Sequence, residues 1–351
     1  MKTINIFFIA TLLMFISCKQ QLKSRLSTEL IENENTQLTG EYMGQTLPYS
    51  IPRVFGPDII SNGLVNRDIT FSPESDELFF TFATSNYSYA TILCTKINNG
   101  VWNTPEVASF AKSHDYVTIE PCLNYDGSLL YFASDRPIND SIEKNDTNIW
   151  VVIREGSDWG EPILLDSTIN TPQGEFYPSL TKDGALYFTR AEPSGVHYIF
   201  KSDFVNGAFE NPKKLPKQIN CGRNRFNAYV SPDESFVIIP AIGVEKDVAG
   251  VNYYITFKNE DSWSDPVNMG QTVNKDLGRG WSASLSPDGS YLFFMSSRGL
   301  SEKSQPESLT FSFFEQLQAK PQNGNADIYW VQSNFIEELR LETITRINTT
   351  N

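Results

Sequence analysis

The sequence predicts an all-β chain folded as a β-propeller of four-stranded blades. Three observations carry that prediction: a composition suited to strands and turns, a hairpin motif that recurs five times, and a second landmark in phase with the first. The repeats give five blades; a sixth assembled from both termini is the alternative.

The 351 residues suffice for one large all-β domain, and 13% aromatic content, 21 glycines and 19 prolines suit short strands joined by turns. Five segments align: "DITFSPESDELFFTF" from Asp68, "EPCLNYDGSLLYFASDR" from Glu120, "YPSLTKDGALYFTRA" from Tyr177, "NAYVSPDESFVIIPA" from Asn227 and "SASLSPDGSYLFFMSSR" from Ser282. Their steps are 52, 57, 50 and 55 residues. "WNTP" at Trp102, "WGEP" at Trp159, "FENP" at Phe209 and "WSDP" at Trp263 keep pace, with steps of 57, 50 and 54.

Each repeat reads as four strands. Strand a is short and alternating. A polar turn follows, with Asp-Gly or a substitute supplying the backbone freedom a hairpin needs. Strand b is the aromatic run, strand c a segment such as "NIWVVIR", and strand d follows the Trp-x-x-Pro element. Four-stranded units of about 40–50 residues repeated in a circle are propeller blades. Before the first repeat, "VFGPDIISNGLVNRD" reads as a strand d with its linker; after the last, "FIEELRLETI" reads as another candidate strand d. One of them closes the ring.

The N-terminus reads as a leader. "MKTINIFFIATLLMFISC" has a cation at Lys2 and an apolar run shorter than the roughly 20 residues that span a bilayer. The small residue before Cys18 resembles a bacterial lipobox, which implies cleavage after residue 17 and acylation of Cys18; an ordinary signal peptide is the alternative. Residues 18–50 are then the lipidated cysteine and a flexible tether, and residues 51–345 the propeller. Lys-Gln-Gln after Cys18 lacks an acidic export run, which favours an outer-membrane anchor facing the periplasm over surface exposure.

The segments "SPDG…LYFASDR…NIWVV…W..P", with linkers "LLDSTINTPQGEFYPSLTKDG" and "NMGQTVNKDLGRGWSASLSPDG", resemble the PD40, or TolB-type WD40-like, β-propeller repeat of Bacteroidetes envelope lipoproteins. The resemblance covers residues 55–340. It implies the fold but not one function, because this scaffold carries many.

In a propeller the linkers into strand a and the b–c loops share one face, and the a–b and c–d turns share the other. Asp126, Asp183, Asp233 and Asp288 then belong to the turn face, where hairpin chemistry accounts for them, and Trp102, Trp159 and Trp263 are packing anchors. The linker face collects charge: Arg67, Asp68, Glu120, Glu175, Tyr177, Arg225, Asn227, Arg279 and Trp281 converge on the funnel as candidate ligand-binding residues, with ion pairing as the structural reading. An apolar insertion, residues 299–326, lies on that face and can pack on a neighbouring blade or meet a partner.

Several classes fall away. A net charge of −14 argues against nucleic acid. Cys94, Cys122 and Cys221 have no zinc spacing, His114 and His197 are the only histidines, and the acidic run Asp140–Asp146 lacks an EF-hand pattern, so neither metal nor other cofactor is expected. Cys94 and Cys122 read as small buried hydrophobes, and Cys221 falls in a polar loop. A serine peptidase would need a Gly-x-Ser-x-Gly elbow and a further domain. The expectation is a non-catalytic binding or assembly module, membrane-anchored in the envelope, for a protein or glycan at the linker face. The alternative is a glycoside hydrolase working through Asp68, Glu120 and Glu175. Arginines paired to those carboxylates would favour the module.

Overall fold

The computed structural model describes residues 38–138, 146–301 and 304–350. Each repeat becomes an antiparallel sheet with strand a innermost. Blade 1 runs a Val65–Phe71, b Glu77–Ala83, c Ala90–Asn98 and d Glu106–Val107. Blade 2 runs Thr118–Leu123, Leu129–Ser134, Asn148–Glu155 and Ile163–Leu164. Blade 3 runs Glu175–Leu180, Leu186–Ala191, His197–Ser202 and Lys213–Lys214. In blade 4 strand a is split into Asn224–Arg225 and Tyr229–Val230, before Phe236–Ile242, Val251–Asn259 and Val267–Asn268. Blade 5 takes Ala283–Leu285, Tyr291–Ser296 and Asp327–Gln332, and its strand d is Arg53–Val54 from the other end of the chain, with Arg53 opposite Trp330 and Val54 opposite Tyr329. The ring therefore closes on five blades. Helices accompany them: α1 (Gly270–Asn274) in a linker, α2 (Phe311–Gln318) in the blade 5 insertion and α3 (Phe335–Thr350) after the last strand.

The core is distributed over the seams. The aromatic b strands and the c strands present both faces to neighbours, and one apolar cluster fills each seam, such as Phe79, Phe132 and Trp159 between blades 1 and 2. Phe71, Phe293 and Trp330 fill the closing seam. The recurring linker asparagine has a physical role: Asn170, Asn220 and Asn274 each accept from the backbone N–H of the residue they face on strand c and donate to its C=O, at 2.8 and 2.9 Å for Asn170 with Ile149. A side-chain amide thus does the work of a ladder partner where no strand lies. Arginines at the end of strand b or just past it act similarly: Arg136, Arg190 and Arg298 donate to the linker carbonyls of Phe110, Ile169 and Val273.

The turns follow their chemistry. Ser72, Ser231 and Ser286 accept from the backbone N–H five residues on, and Asp126, Asp233 and Asp288 from the N–H two residues on. The left-handed position is glycine at Gly127 and Gly289, and is filled by Ser75 and Glu234 where glycine is absent.

Three expectations change. "FIEELRLETI" is not a strand: it opens helix α3, and Phe335, Ile336 and Leu339 pack against the seam between blades 4 and 5 at helical spacing. Residues 38–50 are not all tether, because Tyr42 and Met43 are buried in the closing seam and the Trp102 indole N–H donates to the Gly40 carbonyl at 2.9 Å. Cys221 does lie in a loop, the linker between Lys214 and Asn224, but is buried in the seam between blades 3 and 4, whereas Cys94 and Cys122 are half-buried. The leader with Cys18, and all but the last residue of the acidic run Asp140–Asp146, lie outside the described residues.

Candidate functional site: the axial ring and the cavity above it

The five strands a bring Asp68, Glu120, Tyr177, Asn227 and Ser282 to equivalent positions around the axis. In blades 1, 2 and 3 the register shifts there, between Arg67 and Thr70, Ile119 and Cys122, and Phe176 and Ser179, as a β-bulge requires. Asp68, Glu120, Tyr177 and Asn227 take left-handed φ values of 58°, 61°, 53° and 50°. Such a backbone costs about 1–3 kcal/mol at each non-glycine residue and persists only where the surroundings impose it.

What imposes it is a relay of bonds from blade to blade. The freed amide of each ring residue donates to a group on another blade, usually the preceding one: Glu120 to Thr81 Oγ1 and Asn227 to Thr189 Oγ1, both at 2.8 Å. Where that strand b has no hydroxyl at the matching position another group substitutes: Glu120 Oε2 for the Tyr177 amide at 2.8 Å, Ser282 Oγ for Asp68 and the Tyr253 hydroxyl for Ser282, both at 3.3 Å.

Arg67 joins the ring at its centre. Its Nε donates to Asp68 Oδ2 at 2.5 Å and its Nη2 to Glu120 Oε1, with the three side chains no more than 5% exposed. Asn227 Nδ2 also donates to Glu120 Oε1, at 3.1 Å. Both Glu120 oxygens are therefore engaged, whereas Asp68 Oδ1 and Asn227 Oδ1 are buried with no hydrogen-bond partner among the described residues. Burial is the main reason the Glu120 carboxyl is pushed up to about 7; Arg67 opposes the rise and Asp68 adds to it. Against its own burial, Asp68, Tyr87 and Glu120 hold the Arg67 guanidinium firmly charged.

The two ends of this channel differ. At the linker end Arg67 lies against Tyr87 and Trp281, 5.9 and 5.6 Å from their ring centroids. At the turn end a cavity of about 220 Å³ opens above the ring. Asp68, Glu120 and Tyr177 form its floor; Phe71, Leu123, Leu180, Tyr229 and Leu285 line it. The position after each turn's first residue frames the mouth: Pro73, Tyr125, Lys182, Pro232 and Pro287.

Of the residues nominated from sequence, Arg67, Asp68, Glu120, Tyr177 and Asn227 converge, with Trp281 stacked on Arg67. Three do not join them. Glu175 is fully buried against Arg190 (2.6 Å) and Thr171 in its own linker. Arg225 donates to the carbonyls of Cys221, Gly222 and His197 rather than to a carboxylate. Arg279 stacks on Trp281 at 5.6 Å and reaches the Gly324 carbonyl. Sequence reasoning missed the lining of the turn end, although Pro, Tyr, Lys, Pro and Pro at one repeat position was a readable signal. Thr81, Thr189 and Arg190 carried none, since each looks like an ordinary strand b residue. Among the described residues no cluster could hold a metal ion.

No family model matches the chain, and no curated protein sequence does. Solved structures align at the level of the propeller. A protein described as TolB from Agrobacterium tumefaciens has 14% identity and a TM-score of 0.45, over 76% of this chain and 90% of its own. The catalytic domain of a GH62 α-L-arabinofuranosidase from Coprinopsis cinerea has 9% identity and a TM-score of 0.43, over 78% and 97%. A puromycin-hydrolysing peptidase from Mycobacterium tuberculosis has 14% identity and a TM-score of 0.40, over 69% of this chain and 36% of its own. The site is judged on this chain's own residues.

Proposed function

We propose that the chain is a membrane-anchored envelope lipoprotein whose propeller is a non-catalytic binding module, and that it receives an apolar group of a protein partner in the cavity at the turn end of the channel. The observation that carries this reading is the apolar shaft over a fixed polar floor. A concave, mostly apolar pocket with a few placed polar groups is the usual form of a binding site. The walls favour an apolar side chain over a glycan, whose hydroxyls would lack partners beside Leu123, Leu180 and Leu285. The described chain begins at Leu38 on the same face, since the backbone N–H of Trp102, just past a c–d turn, donates to the Leu38 carbonyl at 2.8 Å. An N-terminal anchor would therefore hold the mouth near other proteins of the same membrane.

The test places a photo-crosslinking residue at Tyr125, on the mouth, and in a second protein at Tyr89, on the opposite face, both exposed. A specific adduct at Tyr125, absent at Tyr89 and lost when Leu285→Trp fills the shaft, supports the reading. Adducts from Tyr89 alone overturn it.

A second reading is a glycoside hydrolase, favoured by one observation: a buried Glu120 near pKa 7 has the titration of a general acid. Hydrolysis needs two carboxylates free to act, and here Glu120 is held by Arg67, Asn227 and Tyr177, Asp68 by Arg67 through one oxygen, and Glu175 by Arg190 and Thr171. Glycan turnover by the chain that Asp68→Asn/Glu120→Gln abolishes would establish this second reading.

A further inference from the structure

We infer that the cavity selects an apolar stem ending in a protonated amine. This rests on the binding reading above and names the chemistry of what enters. Three observations carry it. Asp68 lines the cavity, its side chain is 1% exposed, and its Oδ1 has no partner among the described residues. An acceptor without a donor at the end of a shaft calls for a donor-rich tip, because a buried polar group left unpaired is costly. The floor also holds two carboxylates, Asp68 and Glu120, against one guanidinium, Arg67, so a cation completes its charge. An ammonium meets both demands with three donors on one atom. The walls set the stem: a cavity of about 150 Å³ admits benzene, and this one is about 220 Å³.

The charged and titratable groups around Glu120 fix the pH dependence. Arg67 and Asp68 come from strand a of blade 1, Tyr87 from the b–c loop of that blade and Tyr177 from blade 3; one step further out, Tyr253 of blade 4 acts on Asp68 and Arg67, and Arg279 of the linker into blade 5 acts on Tyr87. Glu120, pushed up to about 7 chiefly by burial, is the one whose charge changes near neutrality. An arriving cation stabilises its ionised form, so binding releases a proton and tightens as pH rises from 6 to 8.

The experiment titrates the full chain with three probes of one shape: 2-phenylethylammonium, 2-phenylethanol and 3-phenylpropanoate. Calorimetry in two buffers of different ionisation enthalpy reads the proton release. The ammonium is expected to bind at least about tenfold tighter than the alcohol at pH 8, as a charge-assisted bond to a carboxylate would give. That preference should shrink at pH 6 and in Asp68→Asn, and Leu285→Trp should abolish all binding. Equal binding of ammonium and alcohol overturns this inference while leaving the binding cavity standing. Preference for the carboxylate probe overturns it too and assigns selection to Lys182 at the mouth. No binding of any probe by folded wild-type chain overturns the cavity reading as well. Should Asp68→Asn fail to fold, the wild-type pH series decides alone: no proton release and no tightening from pH 6 to 8 overturns the inference.

Discussion

The two ends of the central channel are built from the same five strands and have opposite characters. At the linker end, charge is concentrated and consumed: Arg67 binds Asp68 and Glu120 and lies against Tyr87 and Trp281. At the turn end there is little charge, and the walls stand open over an acceptor without a donor. A ring of charged residues in a propeller funnel is thus not itself a binding surface. Buried charges need partners, and here they find them in one another. What they leave over on the far side is the chemistry available to a ligand.

Removing the shared cation should break this contrast most severely. Arg67→Met leaves two carboxylates buried together, and denaturant unfolding should show a loss of about 3–5 kcal/mol. The triple variant Arg67→Met/Asp68→Asn/Glu120→Gln should recover much of it; a triple variant as unstable as the single one would mean that Arg67 acts through packing. Next comes the segment packed into the closing seam between blades 5 and 1. Tyr42 contacts Tyr291 and Trp330 with ring centroids 5.1 and 5.3 Å apart, so Tyr42→Ala should cost about 3 kcal/mol by unfolding, against no loss if residues 38–50 were only tether.

The sequence disclosed the fold more fully than the site, for physical reasons. Blade number follows from turn chemistry and aromatic runs, which are local and repeat in register. That one end of the chain supplies strand d of blade 5 was legible because the ring must close, but which end was not: the segment opening at Val54 and "FIEELRLETI" both qualified. Helix α3 was not, because Leu339-Arg-Leu-Glu alternates over a stretch too short to separate period 2 from period 3.6. In the site, the convergence of Asp68 and Glu120 was readable from their shared repeat position, with Arg67 one residue before it. Their mutual neutralisation was not, because it depends on a bulge that turns consecutive side chains to the axis. The same limit misplaced Glu175 and Arg225, which lie only two residues before a ring position yet point into their own linkers.

The floor should also announce itself through pH. Glu120 titrates near 4.5 when unfolded and about 7 when folded, so the native state binds its proton more tightly. The stability it contributes is fully present below 4.5 and is lost as pH rises through 7, by roughly 1.4 kcal/mol for each pH unit crossed between those two values. Glu234 runs the other way. Despite partial burial, bonds from Lys201, Lys258 and Tyr187 hold it down to about 2, so its contribution is present above 4.5 and lost toward pH 2. Unfolding measured from pH 4.5 to 8 should therefore show a decline that Glu120→Gln makes shallower and Glu234→Gln does not. A decline unchanged in Glu120→Gln would move its origin to Asp327, whose carboxyl burial also raises to about 7.

The smallest effects test whether the turn end is a site or merely scaffold. Leu285→Trp should change stability by no more than about 1.5 kcal/mol while removing binding, since the indole enters space already present. The turn carboxylates make the complementary case. Asp126 and Asp288 are exposed, and each accepts the N–H two residues on within its own turn. Asp126→Ala/Asp288→Ala should cost about 1 kcal/mol per turn in unfolding and leave probe affinity within twofold, because neither carboxylate lines the cavity. A loss of affinity as large as that of Leu285→Trp, in a chain of nearly wild-type stability, would mean that the ligand is gripped by the turns themselves. The axial ring would then be a strut, and the recurring polar turn would be both the device that folds each blade and the surface that meets the partner.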